Sequence, residues 1–349
     1  MERGRRKPVS QIEIARIAGV SRTTVSFVLN NVRGKNISEE TRQRVVAAAR
    51  EFGYTPDESA VDTATSREGA MSLFVCHSES VFSDAYIMRL LEGMGPVLHK
   101  SRYDLRVMQF RVTRGDYVET ARKNGYEGIL LLNTHADDPG IAALKASKLP
   151  FVVIGSLPDE GLTQVDIDNE EAARRVGEYL CSLGHRDIAV IPHASDAFLA
   201  VKARLAGFQG ALRDHEIEIA QTRVCHAHFS EESGYDAMRD ILGRGTPPTA
   251  VFATNDMVAY GAMRALEAAG LSVPEDVSVV GFDDDYMSRY TNPPLTTMTL
   301  PAEGIGRMAA EALLAMIRGG RAGTGAQAGI SLLPTSLTVR RSCREILPR

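Results

Sequence analysis

The chain has 349 residues, 44% hydrophobic and 24% charged, enough for two or three folded domains with sizeable cores. Its formal net charge of −4 conceals a polarised sequence: residues 1–50 carry eleven Lys/Arg against four Asp/Glu, and the rest carry 29 against 40. A basic head (+7) on an acidic body (−11) points to an anionic partner for the head. The early stretch from Val9 to Val20 is interrupted by Ser10, Gln11, Glu13 and Arg16, a pattern that excludes a signal peptide or membrane span there. Cys76, Cys181, Cys225 and Cys343 are scattered without metal or redox spacing, which suits a reduced cytoplasm; no cofactor is expected.

In chain order, Ile12, Ala15 and Ala18 bracket a short helix, and Gly19 permits a left-handed turn. Ser21 then caps a second helix that carries Val25, Val28 and Leu29 inward. A third helix follows in ISEETRQRVVAAAREFGY, with Ser38 as cap, Glu39 and Glu40 at its positive end and Gly53 closing it. Three short helices over residues 1–56 make a helix-turn-helix head. Its second helix turns Arg22, Thr23, Ser26 and Phe27 outward, at a width that fits the DNA major groove. Arg3, Arg5, Arg6, Lys7, Arg33 and Lys35 supply charge for phosphates. The competing reading is a protein-docking head with a solvated basic tail.

Residues 57–69 are polar and read as a hinge or linker. From residue 70 to 349, short apolar runs alternate with helical periods. Candidate strands are LFVCH (73–77), LRVMQF (105–110), GILLLN (128–133), FVVIG (151–155), IAVIP from Ile188, AVFAT (250–254) and VSVVGF (277–282). Helical faces are formed by Val176, Leu180 and Leu183; by Val258, Ala262, Ala265 and Ala269; and by Ile305, Met308, Ala312 and Met316. This alternation implies parallel sheets covered by helices. About ten strands exceed one comfortable sheet, so two lobes with a cleft between them are expected. GGRAGTGAQAG (319–329) reads as a second flexible connection. His226-x-His228 reads as a solvated strand face rather than a zinc site, and Asp283, Asp284 and Asp285, being consecutive, cannot all converge on a metal.

The motifs AGVSRTTVSFVLN, ISEETRQRVVAAAREFGYTP, LGHRDIAVI, RLAGFQGAL, ATNDMVAYGAMRALEAAGLSVPEDVSVVGFDD and PPLTTM occur in this order over essentially the whole chain. Through them the sequence resembles the LacI-type bacterial transcriptional repressors. The resemblance implies a helix-turn-helix head, a hinge and a core of two Rossmann-like lobes similar to periplasmic sugar-binding proteins. It divides the core into a first lobe of about residues 70–166 and 296–325 and a second of about 167–295 and 326–345.

By that resemblance Arg22 and Thr23 match the base-reading pair, within a DNA-facing set of Arg5, Arg6, Ser21, Arg22, Thr23, Thr24, Ser26, Phe27, Asn30 and Lys35. Phe27 stands where the family often has Arg; it either touches a thymine methyl or sugar, or packs on the head. Ala60-Val61-Asp62-Thr63 replaces the usual Ala-Arg-x-Leu element, which puts operator bending by a leucine wedge in doubt.

The implied effector contacts are Asp84, Tyr86, Arg204, Phe229, Asn255 and Asp283. Three have plain structural alternatives: a surface ion pair for Arg204, a core position for Phe229 and a helix cap for Asp84. Asp256 reads as the cap of a helix beginning at Met257. The resulting expectation is a homodimeric, cytoplasmic regulator of double-stranded DNA, acting as a repressor on palindromic operators under a sugar or related metabolite. The alternatives are a two-lobed α/β enzyme, opposed by the absence of GxSxG, GxxxxGK[ST] and strand-linked GxGxxG motifs, and a solute-binding protein.

Overall fold

The computed structural model describes residues 10–29, 37–52, 68–76, 81–110, 115–322 and 328–346. Residues 1–67 and 68–349 form two separate units.

In the head, Ser10 and Glu13 close a reciprocal capping box that starts α1 (Gln11–Ala18). Gly19, at φ 66°, ends it in a conformation that costs a side-chain-bearing residue energy. The Ser21 hydroxyl accepts from the Thr24 amide at 3.1 Å and starts α2 (Arg22–Leu29); the Ser38 hydroxyl does the same for Thr41 at 3.3 Å ahead of α3 (Glu39–Glu51). Ile14, Ala15, Ala18, Val25, Val28, Val45 and Ala48 form the small core. Ile12, expected to bracket the packed face of α1, is instead 64% exposed. Ile14 takes the inward place because it lies four residues before Ala18, on the same side of the helix. Gly53, the Ala60–Thr63 element and most of the expected hinge lie outside the described residues.

The second unit runs β1 (Gly69–Val75), α4 (Ala85–Ser101), β2 (Tyr103–Gln109), α5 (Tyr117–Asn124), β3 (Gly128–Leu132), α6 (Pro139–Ala146), β4 (Phe151–Ile154), β5 (Thr163–Ile167) and α7 (Asn169–Ser182). It continues β6 (Ile188–Ile191), α8 (Leu199–Asp214), α9 (Glu231–Gly243), β7 (Ala250–Ala253), α10 (Asp256–Ala268), β8 (Ser278–Asp283), β9 (Thr296–Thr299), α11 (Ala302–Ala322), β10 (Gly329–Leu333) and β11 (Ser336–Thr338). Six strands form one sheet in the order β10-β5-β4-β3-β1-β2, and five form another in the order β11-β9-β8-β7-β6. Every pairing is parallel except β11 with β9. β3, β4, β6 and β7 are continuous apolar runs, such as the fully buried GILLL of β3, as expected for strands covered on both faces. Two lobes of Rossmann-like character result, matching the α/β class read from the sequence.

The chain passes between the lobes at places that differ from the expected ones. β9 pairs with β8 in the second sheet, so the return to the first lobe follows Thr299 rather than preceding residue 296. β10 pairs with β5 in the first sheet, so 329–333 belong with the first lobe and not the second. Within the Gly-rich stretch, α11 extends through Ala322 and β10 begins at Gly329. The buried face of α11 is Ile305, Ala309, Leu313 and Ile317. Met308 is 37% exposed, because a helix turns 3.6 residues per cycle and places it about one residue off the packed stripe.

Candidate functional site

In the head, Ser21, Arg22 and Thr23 are exposed at the start of α2, while Val25 and Val28 are buried on its other side. Thr24, Ser26 and Phe27 are half-buried on the flanks. The Ser21 hydroxyl lies 2.9 Å from that of Thr24, so its local role is capping. This places two hydrogen-bonding side chains, Arg22 and Thr23, on a projecting helix end. Arg5, Arg6, Asn30 and Lys35 lie outside the described residues.

The core brings all six expected effector residues to one cavity. Asp84, Tyr86, Arg204, Phe229, Asn255 and Asp283 line a space of about 60 Å³ between the two sheets, at the carboxyl ends of the strands. Arg204 reaches it from α8. Three residues on, Gly207 has no Cβ, and one placed there would lie 1.9 Å from the Glu170 carbonyl. The bare glycine therefore lets α8 press on the start of α7. Arg204 Nε donates to Asn169 Oδ1 at 2.9 Å and Nη1 to the Thr254 carbonyl at 2.6 Å. Its guanidinium carbon sits 3.6 Å from the centre of the Phe282 ring, and Nη1 is 3.9 Å from Asp283 Oδ1. Arg204 is buried, which rules out the surface ion pair.

Burial pushes the Asp283 carboxyl well above the usual carboxylate range; Arg204 opposes this but does not outweigh it, and Asp256 and Asp84 add to the rise. Asn255 Nδ2 donates to Asp283 Oδ2 at 3.3 Å. Its Oδ1 accepts from the Val258 amide at 2.9 Å, making Asn255 the cap of α10. This corrects the cap expected from Asp256. Asp256 is instead the first residue of the helix, fully buried, accepting from the Thr297 hydroxyl at 2.6 Å and the Asp285 amide at 2.9 Å. Burial raises its carboxyl to about 7.

Asp84 is the helix cap given as its structural alternative, its Oδ1 accepting from the Tyr86 and Ile87 amides at the start of α4, and it also lines the cavity. Phe229 is half-buried at φ 58° and meets Phe198 and His193 edge to face, so it forms a wall rather than core. The three consecutive aspartates diverge. Asp283 faces the cleft, Asp284 pairs with Arg340 at 2.5 Å, and Asp285 caps the turn Tyr286–Arg289 while accepting from Tyr260 at 2.5 Å. His226 and His228 lie outside any strand, contrary to expectation; His226 Nδ1 is 2.8 Å from the Ala194 carbonyl.

Asp166, Asn169, His193 and Asn133 also line the cavity and were not picked out from the sequence. Asp166 receives Ser156 Oγ at 2.7 Å and Asn169 Nδ2 at 3.1 Å, and burial raises its carboxyl. Asn133 directly follows the apolar run of β3, so the rule that ligands bind beyond strand ends contained its signal. Asp166 sits in TQVDI, too polar to read as a strand. The assembled cleft offers carboxylates that accept, a buried guanidinium that donates and an aromatic wall, a set suited to a small polyhydroxylated molecule.

Among the described residues, no helix is long and apolar enough to cross a membrane, and no group of three or more His, Cys, Asp or Glu is arranged to hold a metal ion. Residues 12–57 match the model of bacterial regulatory proteins, lacI family, and residues 177–343 that of a periplasmic binding protein-like domain. The chain is 36% identical over 330 residues to the HTH-type transcriptional regulator CelR of Thermobifida fusca, covering 91% of this chain and 94% of that one. It is 33% identical over 308 residues to the probable HTH-type transcriptional repressor ExuR of Bacillus subtilis, covering 87% and 90%. Its fold matches a CelR–cellobiose complex (TM-score 0.71, 32% identity, 96% of this chain and 99% of that one). It also matches a lac repressor dimer bound to operator (TM-score 0.72, 27% identity, 97% and 100%). An exposed helix end on a capped three-helix head, joined in sequence to a two-lobed α/β core, accords with these likenesses, and the chain belongs to the lacI family of bacterial regulatory proteins, DNA-binding regulators of transcription.

Proposed function

We propose that the chain is a cytoplasmic, homodimeric repressor whose affinity for a palindromic operator is set by a small polyhydroxylated effector, a sugar or related metabolite, held between the core lobes. The observation that carries this reading is the convergence of Arg204, Asn255 and Asp283 with Asp84, Tyr86 and Phe229 on one cleft. Arg204 donates to effector oxygens, Asp283 and Asp84 accept from hydroxyls, and Phe229 packs on an apolar sugar face. Lobe rearrangement on binding changes how two heads are presented to paired half-sites, a coupling that in such proteins amounts to ~1–3 kcal/mol.

Arg22 and Thr23 read base edges in the major groove, and the basic residues of the head neutralise phosphates. Exposed Tyr286, Met287 and Tyr290 (64%, 53% and 61%) form an apolar patch on the second lobe that supports pairing with a second copy. The relatives found are regulators rather than enzymes, and among the described residues the cleft lining contains no Ser, Cys or Lys to serve as a nucleophile; we read the chain as non-catalytic.

The test is a thermal-shift screen of neutral, acidic and aminated sugars, cellobiose included, on the parent and on Asp283→Asn. A stabilising compound that loses its effect in Asp283→Asn supports the cleft as effector site. Undiminished stabilisation of the variant moves the site elsewhere.

A further inference from the structure

Among the described residues, the contacts that join the lobes across the cleft include one at each of two rims. At one rim, Arg89 of α4 donates from Nη1 to the backbone carbonyls of Asp283 at 3.1 Å and Asp284 at 3.0 Å, while its Nε lies 3.6 Å from the Glu303 carboxylate. At the other, the His135 ring, beyond β3, meets Phe198, beyond β6, edge-on at 4.6 Å. The space they enclose, about 60 Å³, holds about two waters at ~30 Å³ each. Small-molecule sites measure ~300–1,000 Å³. A sugar therefore enters only when the lobes part, and parting them breaks both contacts.

The Arg89 contact falls on an unusual stretch of backbone. Asp283 has φ 127° and Asp284 φ 54°, conformations that side-chain-bearing residues keep only where their surroundings over-determine them. Arg340, Ser288 and Thr299 hold the Asp284 carboxylate, and the Leu300 amide shares the Asp283 carbonyl. Of these contacts to the turn, Arg89 alone comes from the helices of the first lobe. Both bonds leave one nitrogen, Nη1, while Nε faces Glu303, so the planar fork engages the turn and the Glu303 carboxylate at once, an arrangement a single ammonium on a flexible stem does not reproduce.

We propose that Arg89 is a positioning residue: by gripping the Asp283–Asp284 backbone from the opposite lobe, it fixes where the Asp283 carboxylate points and ties that orientation to lobe closure. Arg89 does not touch the effector. It acts through Asp283, so lobe movement and effector engagement become one event. The proposal rests on the reading of the cleft as the effector site, but its test needs no effector, so the two fail separately.

Hydrogen–deuterium exchange of the full chain, without added ligand, compares the parent with Arg89→Gln and Arg89→Lys. Loss of two charge-assisted bonds predicts exchange at least about ten-fold faster in Arg89→Gln. The change appears at both rims and the turn (residues 133–138, 193–200 and 283–287), with β3 and β7 at their parental rates. Arg89→Lys, which keeps the charge but not the fork that also faces Glu303, falls between. Unchanged exchange at the rims in Arg89→Gln, or acceleration spread equally through β3 and β7 in both variants, overturns the proposal.

Discussion

Replacing Arg204 by Ala removes the group that organises the cleft, and the structure fixes the size of the loss. The guanidinium donates to Asn169 Oδ1 at 2.9 Å and to the Thr254 carbonyl at 2.6 Å. Truncation leaves two buried acceptors unpaired, at about 1–3 kcal/mol each. Loss of the cation stacked 3.6 Å over the Phe282 ring adds about 0.5–2 kcal/mol. One term works the other way: Asp283, already raised by burial, takes up a proton instead of standing as an uncompensated buried anion. The expected destabilisation is about 2–5 kcal/mol. Arg204→Met, whose chain still covers Phe282, recovers part of it. The assay is urea denaturation followed by far-ultraviolet circular dichroism, since the chain has no Trp for fluorescence. The midpoint moves while the slope stays constant. A change below about 0.5 kcal/mol in Arg204→Ala, typical of an exposed side chain, refutes the engaged, buried geometry.

Arg22→Ala removes an exposed side chain at the start of α2, so selection among randomised duplexes relaxes at one base pair per half-site by about 1–3 kcal/mol while the melting temperature holds; unchanged selectivity contradicts its role. Asp256 keeps its proton up to about pH 7 when folded but releases it near the ordinary aspartate value of 3.8 when unfolded. The folded state then binds more protons in that window, and the contribution of Asp256 to stability falls as pH rises from about 4 to about 7. In Asp256→Asn that contribution is absent, so the stability of the variant relative to the parent climbs across the same window; a pH-independent difference contradicts the raised pKa. Tyr290→Asp puts a charge in the exposed patch with Tyr286 and Met287 and yields a monomer by sedimentation velocity, and a dimer of parental strength excludes this patch as the interface.

Seven strands were readable from short apolar runs, most of them because buried parallel strands in a two-sided sheet need no polar face; β2, at a sheet edge and only partly buried, still carries the apolar-rich LRVMQF. The four that were not, β5, β9, β10 and β11, are polar or lie at sheet edges. The buried TTMT of β9 has its hydroxyls taken by partners such as Asp256 and Thr338, an arrangement no local pattern announces. Their absence from the reading displaced the lobe crossings, since β9 and β10 lie where the chain changes lobes. In the cleft, Arg204, Asn255 and Asp283 could be placed by resemblance and by their position beyond strands. Arg89 could not, because it acts on main-chain carbonyls 194 and 195 residues away. In the head, capping residues and the turn glycine carried clear local signals, whereas the burial of Ile14 in place of Ile12 depended on helix phase over a stretch of only eight residues.

The most direct test is selection of bound sequences by the purified full-length protein from a library of randomised double-stranded oligonucleotides, repeated at rising salt. The account predicts enrichment of an inverted repeat whose half-sites match a two-fold pair of heads, with affinity falling steeply as salt rises. Recovery of sequences indistinguishable from the starting library at every salt concentration would contradict it.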